Sequence, residues 1–229
     1  MIKSIVPFLL LLQAFVSADD NMVVTCGSVI KLKIPQRGST ATYHLYSEDI
    51  QMHGGSGQQI VTWMKNDPSN TGTLWQIRPK HHDESAEQEY PSKDSATRDT
   101  CAETAAPVQC GSTIRLTHLK TTTNLHSHGV KSPLSRQQEV TGFGTGDGKG
   151  DAGDNWIVEC NTKVWKRGTT VRIRHVDTDA YLGGTTQATF NQNNCGHGCP
   201  ILNHMEAFGR RSKDELTMLE ADIGIYMHK

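Results

Sequence analysis

The feature that most constrains this chain is internal repetition. "VTCGSVIKL" (24–32) returns as "VQCGSTIRL" (108–116), "HLYS" (44–47) as "NLHS" (124–127), and "SGQQIVT" (56–62) as "SRQQEVT" (135–141). Trp75 in "TLWQI" then answers to Trp156 in "DNWIV". The offsets are 84, 80, 79 and 81 residues, so four landmarks recur in order with only small loop adjustments. A third, weaker copy follows: "RGTTVRIRHV" (167–176) matches "CGSTIRLTHL" (110–119), Tyr181-Leu182-Gly183 takes the place of Leu125-His126-Ser127, and Leu219 that of the repeated Trp. "ILNHMEAF" (201–208) is the candidate for the Gln-Gln strand, on an ambiguous alignment. Repetition at this interval means similar supersecondary units that stack to bury a shared core.

Within each copy the apolar residues recur every second position. Ile30, Leu32 and Ile34 alternate with Lys31 and Lys33; Ile114 and Leu116 with Arg115 and Thr117; Val171 and Ile173 with Arg172 and Arg174. That is the strand period, one face inward and one toward water. No segment sustains a helical period. Three copies are too few for a long solenoid, whereas closing them three-fold would bury every strand edge. The expectation is an all-β chain, a β-trefoil of units 23–78, 106–161 and 164–227, the last degenerate. A polar, charge-mixed insertion at 79–105 separates the first two and has no core-forming run.

The chain opens "MIKSIVPFLLLLQAFVSADD": a short positive end, an apolar run too short to span a bilayer, and a small-residue cleavage site. Residues 1–18 read as a signal peptide, and no later stretch suggests a membrane span. A formal net charge of −1 leaves no basic footprint for nucleic acid. In a secretory-route protein the six cysteines Cys26, Cys101, Cys110, Cys160, Cys195 and Cys199 read as disulfides, with fifteen connectivities open. Lys213-Asp214-Glu215-Leu216 spells a retrieval signal, but an internal one carries no address.

"LTHLKTTTNLHSHG" (116–129) packs three histidines into a short run and raises the question of catalysis or metal binding. The repeats argue otherwise. His118 and His175 fall on the inward phase, level with Ile34, which describes a core or rim layer and not a metal site. His126 and His128 align with Tyr46 and Glu48, so the His-x-His spacing is absent from the first copy. Ser127 lacks a nucleophile elbow and an identifiable orienting carboxylate. The glycine-rich 142–155 lacks a phosphate-loop ending, and Asp147, Asp151 and Asp154 lack calcium-loop spacing. No catalytic residue, metal or cofactor is expected. Cys195-Gly-His197-Gly-Cys199 offers too few local ligands for zinc; a disulfide is favoured, with a redox-active pair or zinc as alternatives. The residues left for binding are Tyr46, His126, His128 and the paired Gln58, Gln59, Gln137 and Gln138, whose amides suit sugar hydroxyls or a peptide backbone. The plainer reading of the glutamines is that they bridge repeats. Trp75 and Trp156 are expected in the core; Trp63, Trp165, Tyr43 and Tyr46 are expected to offer exposed rings.

"VVTCGSVIKL", "GSGQQIVT", "CGSTIRLTHLKTTTNLHSH", "SPLSRQQEVTGFG" and "DNWIVEC" together resemble the stromal-cell-derived factor 2 family, a signal peptide followed by three MIR motifs. The resemblance covers nearly all of the mature chain. It implies a lumenal β-trefoil of the endoplasmic reticulum that is not an enzyme. Such a protein acts in folding quality control with a J-domain co-chaperone and the lumenal Hsp70, and meets unfolded clients. The alternative is a lectin-like module for glycans or O-mannosylated proteins. Ricin-type trefoils end each repeat in Gln-x-Trp, whereas here Thr73-Leu74-Trp75 and Asp154-Asn155-Trp156 stand. The chain departs from the family in its 79–105 insertion, in "NNCGHGCP", and in ending without the retrieval tetrapeptide, which leaves secretion open.

Overall fold

The computed structural model describes residues 22–35, 41–81, 101, 103–145 and 149–227. The leader, Asp147 and most of the 79–105 insertion lie outside these residues. Among them no helix is long and apolar enough to cross a membrane.

The protein is all-β. The first copy supplies β1 (Val29–Ile34), β2 (Tyr43–Gln51), β3 (Gln59–Lys65) and β4 (Trp75–Pro79). The second supplies β5 (Thr113–His118), β6 (Asn124–Lys131), β7 (Gln138–Phe143) and β8 (Trp156–Cys160). The third supplies β9 (Thr170–His175), β10 (Tyr181–Gly183), β11 (Met205–Glu206), β12 (Phe208–Arg210) and β13 (Leu219–Ile225), with one α-helical turn, α1 (Gln192–Cys195).

Antiparallel pairing closes the sheet on itself. β1 pairs with β4, β4 with β5, β5 with β8, β8 with β9, β9 with β13, and β13 returns to β1. A closed ring leaves none of these strands with an open edge. The remaining strands form hairpins at one end. β3 pairs with β7, β7 with β12, and β11 with β3, which closes a second ring of contacts. The registers resolve the ambiguous alignment: Gln59 faces Gly142, Gln138 faces Gly209, and Met205 faces Trp63. Met205-Glu206 therefore stands level with Gln59-Ile60 and Gln138-Glu139.

Burial follows the alternation except at Lys31 and Thr117, whose hydroxyl donates to Asn124. Ile30, Leu32, Ile114, Leu116, Val171 and Ile173 are buried. Lys31, expected to face water, is buried as well, because its ammonium reaches the carbonyls of Asp67, Pro68 and Asn70 at 3.2–3.4 Å. A buried ammonium persists only where such acceptors replace water. At the closing position Trp75, Trp156 and Leu219 are all 0% exposed, so the third copy keeps the packing role without the indole. The expectation of exposed rings is corrected: Trp63 and Trp165 are sealed in the main core, Tyr46 is buried, and Tyr43 is packed against that core. An indole with one polar atom is easily buried once that atom has an acceptor. Trp63 finds one in the Gly183 carbonyl, 2.9 Å away, whereas the Trp165 N–H is buried without an acceptor among the described residues.

All six cysteines are paired: Cys26–Cys101, Cys110–Cys160 and Cys195–Cys199. The first ties the start of copy one to the end of the insertion. The second joins the two ends of copy two.

Candidate functional site

Each closing strand is preceded by one turn of 3₁₀ helix, at Thr71–Thr73, Ala152–Asp154 and Glu215–Thr217. Asn70, Asp151 and Asp214 cap these turns by accepting a backbone N–H. Asp214 belongs to the internal "KDEL", which is thus a capping sequence. The first two turns are clamped from the next copy. His118 Nε2 lies 3.0 Å from the Gly72 carbonyl and His175 Nε2 2.9 Å from that of Gly153. Their Nδ1 atoms meet Thr121 and Thr178. Their rings pack on Trp75 and Trp156, centroids 5.0 and 4.9 Å apart. Burial lowers both imidazoles below their usual range, His118 to about 4, and so favours the uncharged ring in each. The core-layer reading of these histidines holds.

The glutamines act as bridges between copies. Gln59 Nε2 donates to Ser47 and to Thr121 of the next copy, at 2.7 and 2.8 Å. Gln138 Nε2 does the same with Ser127 and Thr178, both at 2.7 Å. Gln58 Oε1 accepts from Thr141, and His204, level with Gln58, meets Thr62 in the same way. Gln137 lies half-buried beside the second hairpin turn. Tyr46 sits edge-on to His204, and its hydroxyl donates to Glu48, which also holds Lys120. Burial is the main cause that raises the Tyr46 hydroxyl to about 12.

His126 and His128 form the densest polar run. Asp154 Oδ1 lies 2.9 Å from His126 Nδ1; His126 Nε2 lies 3.2 Å from His128 Nδ1; His128 Nε2 lies 3.2 Å from Glu139 Oε2. Asp154 and Glu139 are both buried. The expectation that no carboxylate orients this cluster is therefore corrected: two do. Asp154 was legible only as a loop aspartate; the signal that marks it is its alignment with Thr73 in the first copy. Ser127 is outside the run, buried and donating to the Glu139 carbonyl.

His126, Asp151 and Asp154 bring ligand-type atoms within 4.8 Å of one another, a convergence not expected from the sequence. Both Asp154 oxygens already have donors: His126 on one, the Asn124 amide and the Asp151 N–H on the other. The trio works as a closed hydrogen-bond network that fixes the 3₁₀ turn.

A MIR domain model matches residues 23–193. Human stromal cell-derived factor 2 is 38% identical over 98% of this chain and 92% of the human protein. The chain belongs to the stromal cell-derived factor 2 family. The crystal structure of the SDF2-like protein from Arabidopsis thaliana superposes with a TM-score of 0.71 at 31% identity, covering 90% of this chain and 98% of that one. The S. cerevisiae Pmt1-Pmt2 protein O-mannosyltransferase complex bound to the sugar donor contains a similar fold, with a TM-score of 0.66 at 23% identity. It covers 90% of this chain and 26% of that one, a likeness of fold alone.

Proposed function

We propose that this protein is a β-trefoil accessory factor of the endoplasmic reticulum lumen, without catalytic activity of its own. It binds a J-domain co-chaperone, through it the lumenal Hsp70, and misfolded client chains. What carries the reading is family membership over nearly the whole chain. Two structural observations support it. The ring of six strands capped by three hairpins is the arrangement a trefoil requires. The polar side chains that sequence comparison singles out are turned inward to hold the copies together, which suits a rigid scaffold.

The end of β13 supports a protein partner. Ile223, Ile225 and Met227 are exposed, while Tyr226 between them packs against the core. Three exposed apolar side chains within five residues give this end of the chain a small apolar patch. The glycan alternative, by contrast, loses the Gln59 and Gln138 amides on which it leaned, because both are already bonded.

The test is a cross-linked pull-down of the tagged chain from its native cells, with a parallel sugar elution. Recovery of a J-domain protein with the lumenal Hsp70, indifferent to sugar and weakened by Ile225→Asp, is the expected result. Glycoproteins released by mannose, with no chaperone among them, would overturn it.

A further inference from the structure

The three hairpin turns meet at one end of the molecule, and their equivalence exposes one place where the symmetry fails. Each turn is closed by a backbone bond: Met52 N–H to Gln58, Ser132 to Gln137, and Phe190 to His204. The strand registers make Ile60, Glu139 and Glu206 equivalent. Glu139 is buried and accepts the Ser56 N–H of the first turn, at 3.2 and 3.3 Å. Glu206 is buried and accepts the Leu134 and Ser135 N–H groups and the Ser132 hydroxyl of the second, at 2.7–3.0 Å. By the same rotation the third turn falls to Ile60, which has no acceptor to offer.

An apolar arrangement takes the carboxylate's place. Ile60, Phe190 and Ile201 form a small cluster apart from the main core, with Met52, Cys195 and Cys199 packed against it. Above it a cavity of about 310 Å³ opens between the first and third turns, with Cys195, His197 and Cys199 on its wall. The third turn is also the longest, and the Cys195–Cys199 disulfide closes a ring of five residues within it. Both cysteines are half-buried. Gly196 and Gly198, at φ +82° and +77°, have nothing within 4 Å of where a Cβ would stand, so solvent reaches the ring from outside. An exchangeable disulfide thus borders an apolar pocket at the turn where the equivalent glutamate is missing.

We propose that this cavity is a thiol–disulfide exchange site for an unfolded polypeptide segment in which a cysteine neighbours a large apolar side chain. The apolar side chain fills the space over Ile60, Phe190 and Ile201, and the thiol beside it meets the disulfide. The thiol gives up its proton, and its thiolate attacks one sulfur of the Cys195–Cys199 pair. That S–S bond breaks as the intermolecular one forms, and the released cysteine thiolate takes up the proton. His197, on the ring between the cysteines, is placed to carry it. One disulfide replaces another, so no outside oxidant or reductant enters. The inference goes beyond the accessory reading and does not rest on a co-chaperone; it needs only a polypeptide thiol.

The experiment uses the oxidised full chain and two short peptides, each with one cysteine, flanked by Leu and Phe in one and by Ser and Asn in the other. Reaction is stopped by acid and alkylation, and the adduct is mapped by mass spectrometry. The expected result is a mixed disulfide at Cys195 or Cys199, formed at least roughly tenfold faster with the apolar peptide, the discrimination a filled apolar pocket supplies. Ile60→Glu, which restores the carboxylate of the other two copies, is expected to erase that preference. Equal rates for both peptides on the native protein would overturn the proposal without any variant. So would an adduct forming first at Cys26, Cys101, Cys110 or Cys160.

Discussion

Asp154 stands where the other two copies hold Thr73 and Thr217, and all three side chains are sealed from water. The threonines need little: each donates back to its own capping residue, Thr73 to the Asn70 carbonyl and Thr217 to that of Asp214. A carboxylate in the same place needs donors from elsewhere, and His126 and Asn124 supply them. In the first copy the place of His126 is taken by Tyr46, so the two substitutions are coupled through space. Gly72 and Gly153 show how close that contact is. A Cβ on Gly72 would meet the Tyr46 ring at 2.5 Å, and one on Gly153 the His126 ring at 2.4 Å. Asp154→Thr alone removes the carboxylate that His126 and Asn124 bond and is expected to cost about 2–4 kcal/mol in urea denaturation. His126→Tyr alone sets a phenol against a buried carboxylate that has lost one of its three donors, with a similar cost. The double variant restores the first copy's pair and is expected to recover more than half of the summed loss. Simple additivity would show that the two positions are independent.

At the scale of elements, the disulfides divide by what they close. Cys26–Cys101 and Cys110–Cys160 span 75 and 50 residues, whereas Cys195–Cys199 spans 4. Chain-entropy arguments assign the long loops about 4 kcal/mol each and the short one about 2 kcal/mol, since a small ring restricts the unfolded chain less. Replacing Cys110 and Cys160 by Ser is therefore expected to lower the melting temperature well beyond the same change at Cys195 and Cys199. Calorimetry of the two double variants checks the order. A larger loss at Cys195–Cys199 would mean that the third turn is held by the bond itself. The hairpins carry the complementary lesson. Gln59 and Gln138 recur in sequence because each ties its own strand pair to the following copy, through Thr121 and Thr178. Met205 holds the third such place and is fully buried instead. The third copy looks degenerate in sequence because it keeps the register and trades the polar bridge for apolar packing.

For the whole molecule, the buried histidines make stability depend on pH in a definite direction. His118 and His204 are each lowered to about 4 by burial, and His175 is lowered for the same reason. Their folded values lie below the ordinary imidazole value of the unfolded chain, so the unfolded state binds protons first as pH falls. For His118 and His204 the contribution is complete above about pH 6.5 and is lost progressively as pH falls through about 4, roughly 3 kcal/mol for His118 alone, and His175 adds in the same direction. Urea midpoints measured from pH 7.5 down to 4 are expected to fall. In His118→Gln, which keeps polar contacts without titrating, the fall should be shallower. An equal slope in the variant would exclude His118 from the effect. The sequence alone determined the all-β class, the recurrence of the copies, the inward phase of His118 and His175 and the core place of Trp75 and Trp156. Each of these is written in periodicity, which burial imposes on every copy alike. Tertiary structure decided what periodicity cannot carry: the pairing of the cysteines, the carboxylates on His126 and His128, the burial of Trp63 and Trp165, and the turn at which Ile60 replaces a glutamate. These depend on which side chains of different copies face one another across the closed ring, and that distance exists only once the ring has closed.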